Sequence, residues 1–117
     1  MHNFKELLIW QEGIELCKDI SILVKTFPTD ERFGLISQMQ RAAVSVPSNI
    51  AEGTSRGSNK GFAHYLSISH GSCFEIETQL VIANELQYIT DEQLNKEVSK
   101  VQKIQKMIYK MINSLKS

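Results

Sequence analysis

Apolar residues recur at steps of three and four along most of the chain, and no stretch alternates apolar and polar positions over the length of a strand. The pattern is helical throughout. A first helix is expected over about residues 4–26, ending at Thr26-Phe27-Pro28-Thr29-Asp30, because the residue before a proline avoids the helical region. Thr29 or Asp30 is placed to cap the next helix. In that second helix Ile36, Met39, Ala43, Val46 and Ile50 form a heptad-like seam. Pro47 interrupts the seam, deleting a backbone hydrogen bond and crowding the preceding turn, so a kink near residues 43–46 is expected, with Gly53 as the C-terminal cap. A third helix is expected from about Lys60 to Gln87, where Phe62, Leu66, Ser69, Cys73, Ile76, Leu80 and Ala83 share a face. Thr90 followed by Gln93 reads as a capping box opening a fourth helix that runs to near the carboxyl terminus. Helices joined by short loops describe an all-α, antiparallel up-down four-helix bundle, one domain over residues 1–117.

The two outer helices differ in their apolar width. On the fourth, Leu94, Val98, Val101, Ile104, Ile108, Met111, Ile112 and Leu115 fall in an arc of about 140° that faces a core. On the first, Trp10, Ile14, Leu16, Cys17, Ile20, Leu23, Val24 and Phe27 spread over about 180°, more than one bundle interior requires, which suggests a subunit interface.

Composition narrows the functional classes. The 117 residues include 13 Lys/Arg and 13 Asp/Glu, so the chain is formally neutral, and a site for a polyanion must come from uneven placement of charge. The longest apolar runs are four residues, as at Leu7–Trp10, far short of the roughly 20 that span a membrane, and the amino terminus has no signal-peptide stretch. The two cysteines, Cys17 and Cys73, form no CxxC pair, so a reduced, cytoplasmic setting is expected, without disulfides or a zinc ribbon.

Charge is indeed unevenly placed. Lys96, Lys100, Lys103, Lys106 and Lys110 occupy about 120° of the fourth helix, away from its apolar stripe. Such a ridge can contact nucleic-acid phosphates through salt-sensitive counterion release, or it can be a solvated helix face without interleaved aromatic residues. Arg56 and Lys60 lie in the glycine- and serine-rich segment Gly53–Gly61, whose exposed amides can also meet phosphates. That segment has no GxxxxGK[ST] pattern and follows no strand, so nucleotide hydrolysis has little support. A polar stripe on the second helix, Gln38, Arg41, Ser45, Ser48, Asn49 and Glu52, suits a hydrogen-bonded network that fixes helix register, with Arg41, Asn49 and Glu52 reaching neighbouring helices or subunits. His64 and His70 are six apart and miss the i, i+4 zinc geometry. His70-Gly71-Ser72-Cys73 lacks a nucleophile elbow, so no catalytic residue, metal or cofactor is expected.

The segment Gln38-Met39-Gln40-Arg41-Ala42-Ala43-Val44-Ser45-Val46-Pro47-Ser48-Asn49-Ile50-Ala51-Glu52-Gly53 resembles the signature of the four-helix-bundle proteins encoded by intervening sequences of bacterial 23S ribosomal RNA genes. Phe4–Gln11 resembles that family's "F..L..WQ" opening, Phe27-Pro28 with Glu31–Leu35 its first loop, and Gly71-Ser72 with Glu75, Glu77 and Thr78 its third-helix motif. The resemblance implies an antiparallel bundle that assembles as a ring-like homopentamer, with no established enzymatic activity. In it, Arg41, Pro47, Asn49, Glu52 and Gly53 are architectural. The family is also similar to the accessory protein of diversity-generating retroelements, a basic pentamer that engages nucleic acid and a reverse transcriptase. This chain is neutral, so a positive surface would come from the Lys96–Lys110 ridge repeated around a ring. The expected function is therefore a non-catalytic, homo-oligomeric protein associated with ribosomal or other structured RNA, the alternative being a scaffold for a protein partner.

Overall fold

A computed structural model describes residues 3–116. Four α-helices account for most of them: α1 (Leu8–Leu23), α2 (Leu35–Thr54), α3 (Asn59–Glu85) and α4 (Asp91–Ser114), with no strand among the described residues. Cross-helix contacts show that neighbours run in opposite directions. Cys17 meets Ala43 while Gly13 meets Pro47, Ser72 meets Ser45 while Phe62 meets Gly53, and Glu77 meets Gln105 while His70 meets Tyr109. The result is an elongated bundle of 44 × 23 × 20 Å.

The first helix is shorter than its sequence pattern predicts. Short 3-10 turns at Phe4–Glu6 and Val24–Thr26 flank it, and Leu7 between the first turn and α1 is extended. The opening turn is held by the Gln11 amide donating to the Lys5 carbonyl at 2.9 Å and by an edge-on contact of Phe4 with Trp10. Neither Thr29 nor Asp30 caps α2. Both lie in a 3-10 turn at Thr29–Glu31, and α2 begins after Gly34, where Glu31 accepts the Leu35 N–H through Oε1 at 3.3 Å. The other Glu31 oxygen accepts from the Tyr88 hydroxyl at 2.7 Å, and Tyr88 also packs on Phe27, so one carboxylate ties together the loops at this end. Thr90 and Gln93 form the expected capping box at the start of α4.

Pro47 lies inside α2, which continues unbroken to Thr54. Its missing N–H would have bonded the carbonyl of Ala43, one turn back. Helix α1 supplies the replacement: the Cys17 thiol donates to that carbonyl at 3.1 Å. Burial raises the Cys17 pKa and keeps the thiol protonated, as a donor must be. One turn earlier on α1, Gly13 makes room for the proline ring, since a Cβ there would sit 3.2 Å from Pro47 Cβ. Gly53 does not cap the helix. It lies within the last turn, where a Cβ would come 2.9 Å from the Phe62 ring and 3.2 Å from the Phe62 carbonyl, so its role is to let α2 and α3 approach.

The core is aliphatic, with Leu16, Ile20, Met39, Ile50, Leu66, Ile76, Leu80, Ile104 and Ile108 essentially inaccessible. The wide apolar arc of α1 is mostly covered within the chain. Leu16, Ile20, Leu23, Val24 and Phe27 are buried, while Trp10, Ile14 and Cys17 are half-buried. Exposed large apolar side chains are concentrated instead on α3, at Ile68, Phe74, Val81 and Ile82, with Leu86 just beyond it.

Candidate nucleic-acid interface

The five lysines of α4 share a face, but the fold divides them. Lys100 is drawn into the α1–α4 seam, donating to Asp19 at 2.6 Å and lying 3.9 Å from Glu97. The Asp19 hydrogen bond holds its ammonium above the ordinary lysine value, although burial works against this. Lys103 pairs with Glu12 of α1 at 3.1 Å. Asp19 and Glu12, the acids that hydrogen-bond these lysines, come from another helix, which the α4 pattern alone does not show. Lys96, Lys106 and Lys110 are exposed and form no ion pair among the described residues.

Beneath the ridge, Glu97 is 6% exposed, and its Oε1 accepts no hydrogen bond. Burial pushes its carboxyl above the ordinary glutamate value, with Lys100 pulling in the other direction. On the opposite flank of α4, Gln102 and Gln105 donate to the carboxylate of Glu77 at 3.3 and 2.9 Å. One turn further along that flank, α3 and α4 bring three rings together. His70 lies 5.0 Å from Phe74, edge to face, and 6.0 Å from Tyr109, tilted by 33°. Phe74 and Tyr109 are about half exposed. Contrary to the expectation from sequence, the ridge is therefore not free of aromatic residues: Tyr109 lies between Lys106 and Lys110 and is exposed, and its α3 partners become neighbours only through the antiparallel fold.

Arg56 and Lys60 lie at the end of the bundle where α3 starts and α4 finishes. Arg56 is already occupied, ion-paired to Glu52 and stacked over the Tyr65 ring at 4.5 Å. Lys60 is exposed. The polar stripe of α2 reaches α3 through Ser45, which shares a hydrogen bond of 2.8 Å with Ser72, whereas Asn49 does not bridge to another helix as expected but donates to the carbonyl and hydroxyl of Ser45 on its own helix. Glu52 turns to Arg56, whereas Arg41 borders a hollow of about 350 Å³ lined also by Gln38, Ala42, Ser45 and Glu75.

Among the described residues, His64 and His70 stack on neighbouring rings and neither cysteine is hydrogen-bonded to a histidine or carboxylate. Cys73 is fully buried and its thiol is pushed up to about 12 by burial, so it is not a poised nucleophile. Among the described residues no three His, Cys, Asp or Glu side chains are grouped to hold a metal ion. No helix of these residues is long and apolar enough to cross a membrane.

Fold and surface together define an all-α bundle with a lysine-bearing outer helix and a partly apolar neighbouring face. Residues 5–110 match the 23S rRNA-intervening sequence protein family, and the chain belongs to it. A crystal structure of a protein of unknown function from the S23 ribosomal protein family of Bacteroides thetaiotaomicron is similar, with a TM-score of 0.83 and 24% identity. The match covers 90% of this chain and 98% of that one, and it carries the fold alone. No curated protein matches the chain.

Proposed function

We propose that this chain is a non-catalytic, self-associating bundle of the cytoplasm that holds RNA by its phosphates along the outer face of α4. The observation that carries this reading is the set Lys96, Lys106 and Lys110, exposed and free of ion pairs among the described residues, on a helix with no Asp or Glu after Glu97. Lys100 and Lys103 join the contact only by exchanging Asp19 and Glu12 for phosphate, and Arg56 only by leaving Glu52. Lys60 extends the basic surface at the same end. A ring-like homopentamer would repeat the ridge five times, offsetting the chain's neutrality through multivalency. The family's description, which ties its members to 23S rRNA intervening sequences, makes structured ribosomal RNA the first polyanion to test.

Fluorescence anisotropy of a labelled ribosomal RNA hairpin, titrated across a range of salt, tests the reading. Changing Lys96, Lys106 and Lys110 together to glutamine should weaken binding and flatten the log–log salt slope by about 2 to 3. Unchanged affinity in a variant with unchanged sedimentation would overturn it.

The apolar face favours a second reading, a scaffold for another protein. Val81, Ile82 and Leu86 are each more than 40% exposed, more than an isolated surface helix needs. If this face joins copies of the chain, Val81→Asp with Leu86→Asp dissociates the assembly in sedimentation. An intact assembly leaves the face open and favours the scaffold.

A further inference from the structure

We infer that His70, Phe74 and Tyr109 form a stacking platform for the bases of unpaired RNA, with Lys106 and Lys110 holding the adjoining phosphates. This rests on the RNA reading above and adds to it which form of RNA is bound and where. Lysines alone grip a backbone and do not distinguish a duplex from a single strand. Exposed rings beside lysines make that distinction, because only unstacked bases can add a ring to the pile.

The geometry suits such a role. His70 already stands edge-on to Phe74 at 5.0 Å and tilted over Tyr109 at 6.0 Å, so the three rings support one another before any ligand arrives. Phe74 at 52% and Tyr109 at 58% exposure keep much of their surface in water, where large rings are costly to leave. Lys106 precedes Tyr109 by one turn and Lys110 follows it directly, their Cα atoms about 6 Å apart along the helix axis.

The charge of the surroundings is complementary to a strand. Residues 53–74 and 98–117 hold seven Lys or Arg and no Asp or Glu; Arg56, Lys100 and Lys103 are paired with acids outside these stretches, which leaves Lys60, Lys106, Lys110 and Lys116 exposed and without an ion pair among the described residues, and Glu75 follows Phe74 directly. The carboxylate of Glu77, on the α3–α4 seam, is bound by Gln102 and Gln105. Lysine is depleted from the centres of protein interfaces, so two lysines flanking the rings argue for a polyanion over a protein.

The test uses the full chain and a fluorescein-labelled oligouridine of roughly 12 nucleotides, the size range of a single-strand site. Tyr109→Leu and Phe74→Leu should each weaken binding about tenfold while leaving the salt slope unchanged. Lys106→Gln with Lys110→Gln should lower the slope by about 1.4. A perfect RNA duplex of the same length should bind more weakly than the single strand and be indifferent to the ring substitutions. Equal effects of the ring substitutions on duplex and single strand would overturn the platform while leaving the phosphate reading intact. So would ring variants that sediment as smaller species yet bind oligouridine normally, since the rings would then lie between copies of the chain. A deoxy-oligomer binding more tightly than its RNA counterpart would remove RNA as the occupant. Wild-type protein that binds neither hairpin nor oligouridine at low salt would overturn both readings together.

Discussion

Replacing Cys17 with alanine should destabilise the bundle by about 1–3 kcal/mol, because the Ala43 carbonyl is left buried with no partner for the bond that Pro47 cannot make. The cost should depend on what stands at position 47. In Pro47→Ala the new backbone N–H pairs with that carbonyl as in any helix, and the same Cys17→Ala change should then be milder by about 1 kcal/mol. Pro47→Ala by itself should stabilise by about 0.4–1 kcal/mol. Relief of an interior proline is worth about 3 kcal/mol, against about 1.6 kcal/mol for two buried methylenes of the ring and about 0.4–1 kcal/mol for the looser unfolded chain. The assay is urea unfolding of the wild type, both single variants and the double variant, in reductant and at one protein concentration so that self-association does not enter. A coupling near 1 kcal/mol with equal m-values supports the argument. Costs that add to within about 0.3 kcal/mol would refute it, showing that the thiol does not stand in for the missing amide.

Gly53→Ala should destabilise by about 1–2 kcal/mol despite the better helix propensity of alanine, since the added methyl meets the ring and backbone of Phe62. Thermal unfolding decides it, and a rise in melting temperature would show that α2 and α3 can separate at no cost. Thr90→Ala should cost about 1 kcal/mol by removing the capping box of α4, checked by urea denaturation. Glu97→Gln should change the pH dependence of stability. Burial holds this acid's folded pKa above its unfolded value, so the native state binds the extra proton and wild-type stability falls as pH rises from about 4.3. The glutamine variant should show a shallower fall in urea midpoints above that pH, and an unchanged slope would exclude Glu97 as its source.

Much of this architecture is legible in the chain because helix periodicity and capping are local. Thr90 and Gln93 are three residues apart and form their box in the structure. Gly53 is misread as a cap for the opposite reason: what constrains it is Phe62, beyond the following loop, and a glycine near a helix end looks the same whether it turns the chain or admits a ring. Asp30 looks like a cap too, but a 3-10 turn intervenes and the longer Glu31 side chain reaches the first amide instead. The lysine ridge is correct as a helix face and incomplete as a surface. Its counter-charges Glu12 and Asp19 lie more than 80 residues away, and so do not register in a count of acids on α4. The ring cluster has the same origin, with His70 and Tyr109 meeting only because α3 and α4 are antiparallel.

The notch at Gly13 bears on how the bundle chooses one arrangement among many. Two amphipathic helices can slide past each other by a turn, about 5.4 Å, and still bury similar amounts of apolar surface, so burial alone discriminates poorly between slipped alignments. The proline ring and its orphaned carbonyl make α2 unlike a smooth cylinder. A slip of one turn would set Ile9 or Cys17 against the ring in place of Gly13 and carry the thiol away from the Ala43 carbonyl. Misaligned states are thus penalised both sterically and by an unsatisfied polar group, which lets a short sequence with a plain aliphatic core specify a single register between its first two helices.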